Sequence, residues 1–518
     1  MPEASPATLT GRTLLPLLVA MMLATACGST VPKSAQVGGQ PVAGVEEGGL
    51  GIPTEVAGQE AGVGGGGGTG AGGGTSGTGT TGGTGSGGTD GGGGGGKGGK
   101  GGGGGAALGP GITDKKIYVA MSYADAGSAN QAAFGTPLDV DARKPYNAMI
   151  KEVNAAGGIL GRDIEPIYYE FSAATTARPI DQQAQAACAH WTQDHEVFFM
   201  LASDASGILQ ECAHKAGAVH PMAIGSALPE EFTKFPHYVE MAGLNFIRSG
   251  DVTITGLANG GYFEGTPRIG IILWDHPAYR DALDRGYLPA LRGKGFDLAT
   301  EPAYITPPQQ FNDLAATSAD VNSAVLRFQT QGITHVMILA GPAGLCSGAC
   351  LESLVLNRSK SQGYYPRYGF NANNLPVAGQ QAGLYPNDQL RRSVAVEWSA
   401  LDEGTDEGWK TNQARESCYA LMRKHGVPLE NANQKGYASF ACDQFRFIQL
   451  VIGKMDGAPL NADNFMVGVN KVGGSFASIN AFATNITAKQ HDGVAAARNM
   501  SFQDGCECYK WTTQPYPV

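Results

Sequence analysis

The sequence predicts an α/β fold with two doubly wound lobes, each built on a parallel sheet. Between Ile112 and Val518, short apolar runs of strand length alternate with stretches of helical periodicity, the pattern of a parallel sheet covered by helices. This region has about 400 residues, enough for two lobes with separate cores. The runs form two series: 117–121, 164–171, 197–202 and 221–225, and then 268–274, 303–305, 335–340, 368–371 and 393–398.

The clearest joint in the first series connects a helix to the second strand. Apolar side chains recur at three- and four-residue steps from Tyr146 to Val153, which predicts one buried helical face. Gly157 and Gly158 then end the helix, because glycine enters the left-handed cap conformation without a Cβ clash. The run 164–171 follows as a buried strand. A glycine cap of this kind fits many α/β units, so by itself it indicates no function.

The amino-terminal residues carry an export signal. Arg12 precedes an apolar run, 14–26, which is too short to span a bilayer and ends in small residues. Cys27 comes next, an order that resembles a bacterial lipobox, in which the cysteine is acylated and becomes the mature amino terminus. The ending A-T-A also fits an ordinary A-x-A cleavage site. We expect residues 1–26 to be a lipoprotein signal peptide and Cys27 to be the lipidated residue, at the outer face of the cytoplasmic membrane.

Residues 27–111 are expected to be a disordered tether. From about residue 48 to 109 the chain is dominated by glycine, so it has little apolar surface to offset its backbone entropy. A flexible chain of about 80 residues has a root-mean-square reach of roughly 50 Å. The glycines around Lys97 imitate a phosphate-binding loop, but Gly98 stands where Ser or Thr is required. No nucleotide site is expected here.

Charge and cysteine content exclude some classes and favour others. The net charge is −10, and Lys and Arg are scattered, so no affinity for nucleic acid is expected. Of nine cysteines, Cys27 is set aside, and the remaining eight predict a disulfide framework in an exported chain. Sequence order favours three local pairs and leaves two cysteines that bond to each other only with strain. The pairs are Cys188 with Cys212, Cys346 with Cys350, and Cys418 with Cys442; Cys506 and Cys508 remain.

Catalytic and metal-binding motifs are missing from the sequence of the folded region. It has no G-x-S-x-G, H-E-x-x-H or C-x-x-C, and its histidines are scattered. Zinc needs C-x-x-C pairs or histidine partners at ligand spacing. Cys346 is a poor nucleophile if it is oxidised with Cys350. We therefore expect no enzyme, no metal and no cofactor.

The string from Asn154 to Arg162 resembles a family motif, "N-x-x-G-G-I-x-G-R", found near the start of branched-chain amino-acid (Leu/Ile/Val)-type substrate-binding proteins of ABC transporters. The resemblance implies the type 1 periplasmic-binding-protein fold, with a cleft between the lobes and three inter-lobe crossovers. The solute-binding domain would be 112–518. Lobe 1 would contain about 112–245 and 376–500, and lobe 2 about 246–375 and 501–518.

The same resemblance implies where the ligand binds. The loop 201–207 resembles one in which hydroxyls and a helix N-terminus hold a carboxylate, a favourable place for an anion; a plain Ser/Asp N-cap fits these residues equally well. The second lobe would add an aromatic residue and an acid after the strand 268–274. Glu170 stands where the family commonly has Asp, which places the pocket lining in doubt. The candidates are Tyr123, Ser203, Asp204, Ser206, Ser226, Trp274, Asp275 and Tyr279.

Taken together, these features indicate an extracytoplasmic, lipid-anchored solute-binding protein that captures a small organic ligand, an amino acid or another carboxylate-bearing molecule, for an ABC importer. The expected partners are the small molecule, an ABC permease and the membrane. Two other interpretations remain open. One is an extracellular sensor that passes lobe closure to a signalling partner, and the other is a structural wall-associated protein with a vestigial cleft.

Overall fold

A computed structural model describes residues 108–125, 141–172, 179–202, 207–343, 346, 349–400 and 412–518. The expected signal peptide, Cys27 and nearly all of the expected tether lie outside the described residues, as do Ser203, Asp204 and Ser206. The folded part begins before the expected boundary at residue 112. The Gly109 amide donates to the Leu460 carbonyl at 3.0 Å, and the Tyr118 amide donates to the Gly111 carbonyl at 2.9 Å.

The first lobe is built on parallel strands. Strand β1 pairs with β2 on one side and with β3 on the other, and β4 pairs with β5. A single bridge from Phe199 to Val219 connects the two groups of strands. The strands are β1 Lys116–Asp125, β2 Asp163–Ser172, β3 Phe199–Met200, β4 His220–Met222 and β5 Tyr238–Glu240.

The second lobe contains a sheet in the order β12-β11-β10-β9-β8-β6-β7, with β13 added beside β11. Its central strands are parallel, whereas β11 and β12 are antiparallel to their neighbours. The strands are β6 Ile269–Trp274, β7 Ala303–Ile305, β8 His335–Leu339, β9 Arg367–Asn371, β10 Val394–Glu397, β11 Ala496–Gln503, β12 Cys508–Trp511 and β13 Tyr516–Pro517.

Helices cover both sheets. Those of the first lobe are α1 Arg143–Ala155, α2 Ile180–Ala189, α3 Ile208–Ala216, α4 Pro229–Lys234, α12 Gln413–Lys424, α13 Ala432–Gly453 and α14 Ala462–Val469. Those of the second are α5 Phe246–Asn259, α6 Pro277–Ala282, α7 Leu288–Gly293, α8 Leu314–Thr330, α9 Cys350–Ser361, α10 Pro376–Gln381 and α11 Asn387–Leu390. Short π-helical turns at His190–Asp194 and Leu283–Tyr287 extend α2 and link α6 to α7. The predicted α/β class with two doubly wound lobes is confirmed.

The expected lobe boundaries need one correction. Strand β10 pairs with β9 through Val394 and Gly369, and β11 pairs with β10, so the segments 376–400 and 496–500 lie in the second lobe. We had expected both in the first. The three residues from Val394 to Val396 are fully buried, and their place is between two strands of the second sheet. The chain therefore passes between lobes at about residue 245, between 400 and 412, and at about 494.

The helix-to-strand joint has the predicted form and an additional clamp. Gly157 and Gly158 have φ of 97° and 72°, and a Cβ on Gly158 would overlap the Arg162 carbonyl. The Asn154 side chain bonds to both backbone groups of Ile164, at 2.7 Å to its N–H and 3.0 Å to its carbonyl. Arg162 Nε donates to the Thr113 carbonyl at 2.7 Å. The polar residues of the motif therefore fix the strand that follows the helix.

Four disulfides are present, and the three predicted local pairs are among them. Cys188 on α2 bonds to Cys212 on α3, and Cys418 on α12 bonds to Cys442 on α13. Cys346 bonds to Cys350 at the start of α9. The fourth joins Cys506 to Cys508. We had expected strain from two alternate residues of one strand, whose side chains point the same way with little slack, but Cys506 lies in the turn that precedes β12.

Candidate functional site

The carboxyl ends of parallel strands from both lobes form a cleft, the usual place for a ligand in open α/β sheets. Three polar contacts cross it. Ser226 Oγ and Asn373 Nδ2 lie 3.1 Å apart, with Asn373 donating. Arg285 makes two hydrogen bonds to the Glu230 carboxylate, at 2.6 and 3.2 Å. The Ile180 amide donates to the Gln309 carbonyl at 3.3 Å. The lobes therefore stand in a closed arrangement.

Ser226 is the predicted site residue that the structure places in direct contact with the other lobe. It lies in the loop 223–228, which follows β4. This loop is held by backbone bonds from Met241 and Ala242 to residues 222 and 223, and by the Glu240 carboxylate, which accepts from the Ala227 amide at 3.0 Å. A hydroxyl here can exchange its bond to Asn373 for a bond to a ligand.

Tyr123 lies near the end of β1 in a polar cluster. Its hydroxyl donates to Glu170 at 2.9 Å, and the Arg143 guanidinium stacks over its ring with 4.2 Å to the ring centre. Burial is the largest cause that raises the pKa of Tyr123, followed by its bond to Glu170. Arg143 also forms a two-point ion pair with Asp141, at 2.8 and 3.1 Å. This cluster presents a half-exposed cation on the first-lobe side, and Asp141 already balances its charge.

Trp274 does not line the cleft as expected. Its side chain is 0 % exposed and its indole N–H donates to the Gly341 carbonyl at 3.2 Å. Tyr279 is 3 % exposed and its hydroxyl donates to the Pro342 carbonyl at 3.1 Å. Both rings anchor the loop that follows β8, because a large apolar ring with one polar atom is stable inside when that atom finds a backbone acceptor. The aromatic side chains that we expected to contact the ligand from the second lobe are therefore mainly part of its hydrophobic core.

Tyr279 still reaches a small cavity at the base of the cleft. The cavity has a volume of about 10 Å³, room for one water molecule. Phe246 packs edge-on against Tyr279 with ring centres 4.9 Å apart. All of its lining residues belong to the second lobe, and their packing leaves space only for water. The lining residues are Phe246, Ser249, Tyr279, Ala282, Tyr287, Leu339, Ala340 and Asn373.

Asp275 is engaged by a neighbour on its own lobe. Arg280 lies 2.6 Å from the Asp275 carboxylate, and its guanidinium stacks on Tyr304 at 3.9 Å from the ring centre. Both members of the ion pair are about two-fifths exposed. Asp275 is therefore an accessible acid whose charge is already balanced.

The turn Asn371–Asn374 is a site feature that sequence reasoning missed. The Asn371 side chain accepts from the Asn373 amide at 2.9 Å, and Asn374 Oδ1 accepts from the Asn371 amide at 2.8 Å. Asn371 Nδ2 also donates to the Tyr287 hydroxyl at 2.7 Å. The string N-A-N-N directly after a buried strand was the available signal, because asparagine side chains cap turns at such ends.

Two further buried acids, Asp443 and Asp492, have structural partners. Asp443, fully buried, accepts hydrogen bonds from Ser478, Ile479 and Asn480 at 2.6–3.2 Å. Burial is the main cause that raises its pKa. Asp492 connects two of the segments that pass between the lobes, because its carboxylate accepts hydrogen bonds from Asn245 and from Arg248 on α5. Neither acid faces the cleft as a free group.

Within the described residues, no group of three or more His, Cys, Asp and Glu side chains is placed to hold a metal ion. In the same part of the chain no helix is long and apolar enough to cross a membrane.

Comparison with solved structures defines the fold. A possible leucine/isoleucine/valine-binding protein from Rhodopirellula baltica superposes with a TM-score of 0.54 at 12 % identity, over 77 % of this chain and 96 % of the other. A fatty acid ABC transporter substrate-binding protein from Thermomonospora curvata gives 0.53 at 14 %, over 80 % and 95 %. A branched-chain amino acid transporter substrate-binding protein from Streptococcus pneumoniae, complexed with isoleucine, gives 0.51 at 13 %, over 78 % and 99 %.

The chain therefore has the type 1 periplasmic-binding-protein fold, as its motif indicated. No family model matches its sequence, and no curated protein is a significant match. The likeness lies in the arrangement of elements, since the identities are only 12–14 %.

Proposed function

We propose that the protein is an extracytoplasmic solute-binding protein of an ABC importer, held at the membrane through Cys27. The observation that carries the proposal is the closed arrangement of two separately cored lobes, joined across their cleft by a few polar contacts that a ligand can replace. Solved proteins of this fold include a branched-chain amino acid transporter substrate-binding protein in complex with isoleucine and a fatty acid ABC transporter substrate-binding protein.

Binding would work by closure. A ligand that contacts both lobes stabilises the closed state by its additional contacts there, and shifts the population toward it. Ser226 and Asn373 provide hydrogen-bond donors that face each other and suit a carboxylate, whereas Arg143 is already paired with Asp141. The Tyr279 ring lines the base of the cleft. These groups favour a small molecule with a carboxylate and an apolar body.

The direct test is mass spectrometry of small molecules released by denaturing the purified full chain. A stoichiometric organic acid or amino acid is expected, and the purified compound added back should raise the melting temperature by mass action. If nothing co-purifies, a panel of branched-chain amino acids and fatty acids is tested by the same melting assay. A chain that carries no solute and responds to none of the panel contradicts the proposal.

A further inference from the structure

Glu240 is a buried acid beneath the first-lobe side of the cleft. Its side chain is 0 % exposed, at the end of β5. One carboxyl oxygen accepts from the Ala227 amide at 3.0 Å and from the Tyr238 hydroxyl at 2.6 Å, while the other has no hydrogen-bond partner among the described residues. Gly225 and Gly243 leave no room for a Cβ beside the carboxyl. The packing therefore holds the carboxyl against the loop that carries Ser226.

Glu352 has the equivalent place in the second lobe. It lies in the first turn of α9, 1 % exposed, and accepts a hydrogen bond from Asn374 Nδ2. Asn374 Nδ2 also donates to the Ile338 carbonyl at 2.9 Å, and its carbonyl accepts from Tyr385 at 2.6 Å. Glu352 therefore fixes the turn that presents Asn373.

The two carboxyls support the two halves of one contact. Glu240 holds the residue after Ser226, Glu352 holds the residue after Asn373, and the side chains of Ser226 and Asn373 meet across the cleft at 3.1 Å. Both acids lie outside the group of candidate ligand residues, and both are buried behind them.

The charged groups that face each acid oppose its ionisation. Asp492 from the third inter-lobe passage and Glu231 from α4 lie near Glu240 and raise its pKa by their charge. Arg248 is the cation in that region, and it is bonded to Asp492. Tyr238 and Ala227 are the hydrogen-bond donors to the carboxyl.

Around Glu352, the titratable neighbours are tyrosines. Burial is the main cause that raises the pKa of Tyr279 on α6 and of Tyr385, and the charge of Glu352 raises both further. A negative charge on either glutamate is thus held in an apolar interior without a balancing cation in direct contact among the described residues, which is costly.

We propose that Glu240 and Glu352 are paired positioning residues whose protons regulate the cleft. The neutral carboxyls stay buried and keep Ser226 and Asn373 in register for closure, whereas an ionised carboxylate, although it accepts hydrogen bonds more strongly, draws in water and so releases its loop. This deepens the proposed solute-binding function and rests on it for its biological meaning. The loop behaviour itself requires no ligand. Closure is then favoured in acidic surroundings and weakened in alkaline ones.

The direction follows from proton linkage. Burial raises the pKa of Glu240 from 4.5 to about 8 and that of Glu352 from 4.5 to about 7. The closed loops therefore keep protons that the opened, hydrated loops release. The stabilisation is fully present below about pH 4.5, falls as the pH rises, and is lost by about pH 8 for Glu240 and about pH 7 for Glu352.

The experiment is hydrogen–deuterium exchange of the full chain, without ligand, from about pH 5 to about pH 9. Rates are corrected with the unfolded chain at each pH. For peptides covering 223–228 and 371–374, the opening constant should rise by up to about tenfold per pH unit and level off near each pKa. Infrared spectra should show protonated carboxyl absorption that disappears over the same pH range.

Glu240→Gln should flatten the pH response of the 223–228 peptide and leave that of 371–374 unchanged, and Glu352→Gln should do the reverse. Glu301→Gln, an exposed acid of the second lobe, is the matched control and should change neither. If a glutamine variant does not fold, the infrared titration of the wild-type chain still shows whether buried carboxyls lose their protons over this pH range.

Equal pH slopes in wild type and both variants, or no protonated carboxyl at neutral pH, would overturn the proposal. Flat exchange in a chain that carries a solute refutes the proton linkage alone. A chain with the linkage but no solute refutes the importer function alone.

Discussion

At the scale of single residues, the structure is decided by where polar atoms find partners. Asn154 satisfies both backbone groups of Ile164, and Asp443 gathers donors from three consecutive residues. His220 is 1 % exposed, with its Nε2 2.6 Å from the Ala202 carbonyl. Such groups cost several times more when left unpaired than they contribute when paired. Replacing these residues should therefore lower the free energy of unfolding before it affects function.

Replacing Asn154 tests the clamp in the motif. Asn154→Ala removes two hydrogen bonds and leaves the partly buried N–H and carbonyl of Ile164 without side-chain partners, so the free energy of unfolding should fall by about 1–3 kcal/mol. Urea denaturation measures it. Lys151→Ala, exposed on the same helix, is the control and should change stability by less than about 0.5 kcal/mol. Equal effects would mean that the motif asparagine is not a clamp.

The lowered pKa of His220 predicts how stability changes at acidic pH. Burial lowers its pKa from 6.5 to about 4, so its contribution is fully present above about pH 6.5 and is lost as the pH falls to about 4. Asn at this position cannot gain the proton. His220→Asn should therefore reduce the loss of unfolding free energy between these pH values, by up to about 1.4 kcal/mol per pH unit. Parallel urea curves for wild type and variant at both pH values would contradict it.

At the scale of elements, the disulfides join neighbours rather than lobes. Cys188–Cys212 ties α2 to α3, and Cys418–Cys442 ties α12 to α13, each across 24 residues, while Cys506–Cys508 closes a turn. In the chain-entropy account, longer loops gain more from closure. The bonds therefore reinforce the helical layer of the first lobe and leave the passages between lobes free to move.

Removing one disulfide at a time should show how much each contributes to the free energy of unfolding. Replacing Cys418 and Cys442 by alanine should cost about 3 kcal/mol of unfolding free energy, and replacing Cys506 and Cys508 should cost clearly less. Denaturant curves for the two double variants give the comparison. The unreduced, denatured wild type should show no reactive thiol among the eight downstream cysteines. A larger loss for the turn pair would reverse the ranking.

At the scale of the whole molecule, the proposed function depends on contacts that cross the cleft. Ser226–Asn373 and Arg285–Glu230 connect lobes whose hydrophobic cores are separate. Such contacts are weak individually, so a ligand's added interactions can shift the balance between open and closed forms. The proposed anchor at Cys27 also belongs to this scale, because it would hold the cleft near the proposed permease.

Ser226→Ala removes a hydroxyl that serves closure. Once the ligand is identified, its dissociation constant should rise by about threefold to tenfold, the equivalent of one hydrogen bond, while the melting temperature without ligand stays nearly constant. Ser323→Ala, exposed on α8, is the matched control. Unchanged affinity in Ser226→Ala and Asn373→Ala would place the ligand elsewhere.

Cys27→Ser tests the anchor. If Cys27 is acylated, the wild-type chain should sediment with membranes and the variant should appear in the soluble extracytoplasmic fraction. Fractionation followed by immunoblotting compares the two. Identical partitioning would mean that the signal is an ordinary cleavable one.

The sequence by itself determined the local units of this protein. Helical periodicity from Tyr146 to Val153, the glycine cap after it and the apolar strands carry their own signal, because helix and strand formation depend on neighbours along the chain. The same local order gave three of the four disulfides.

Only the tertiary structure decided which side chains are buried and which residues they contact. Strand β11 was missed because its residues include Arg498 and Asn499, which are buried only through partners far along the chain. Trp274 has a binding residue's chemistry but faces the core, since the direction of a strand's side chain depends on the layer packed over it. Glu240 and Glu352 are unremarkable acids in the sequence. Folding encloses them behind the cleft, and enclosure, not residue type, raises the pKa of a carboxyl.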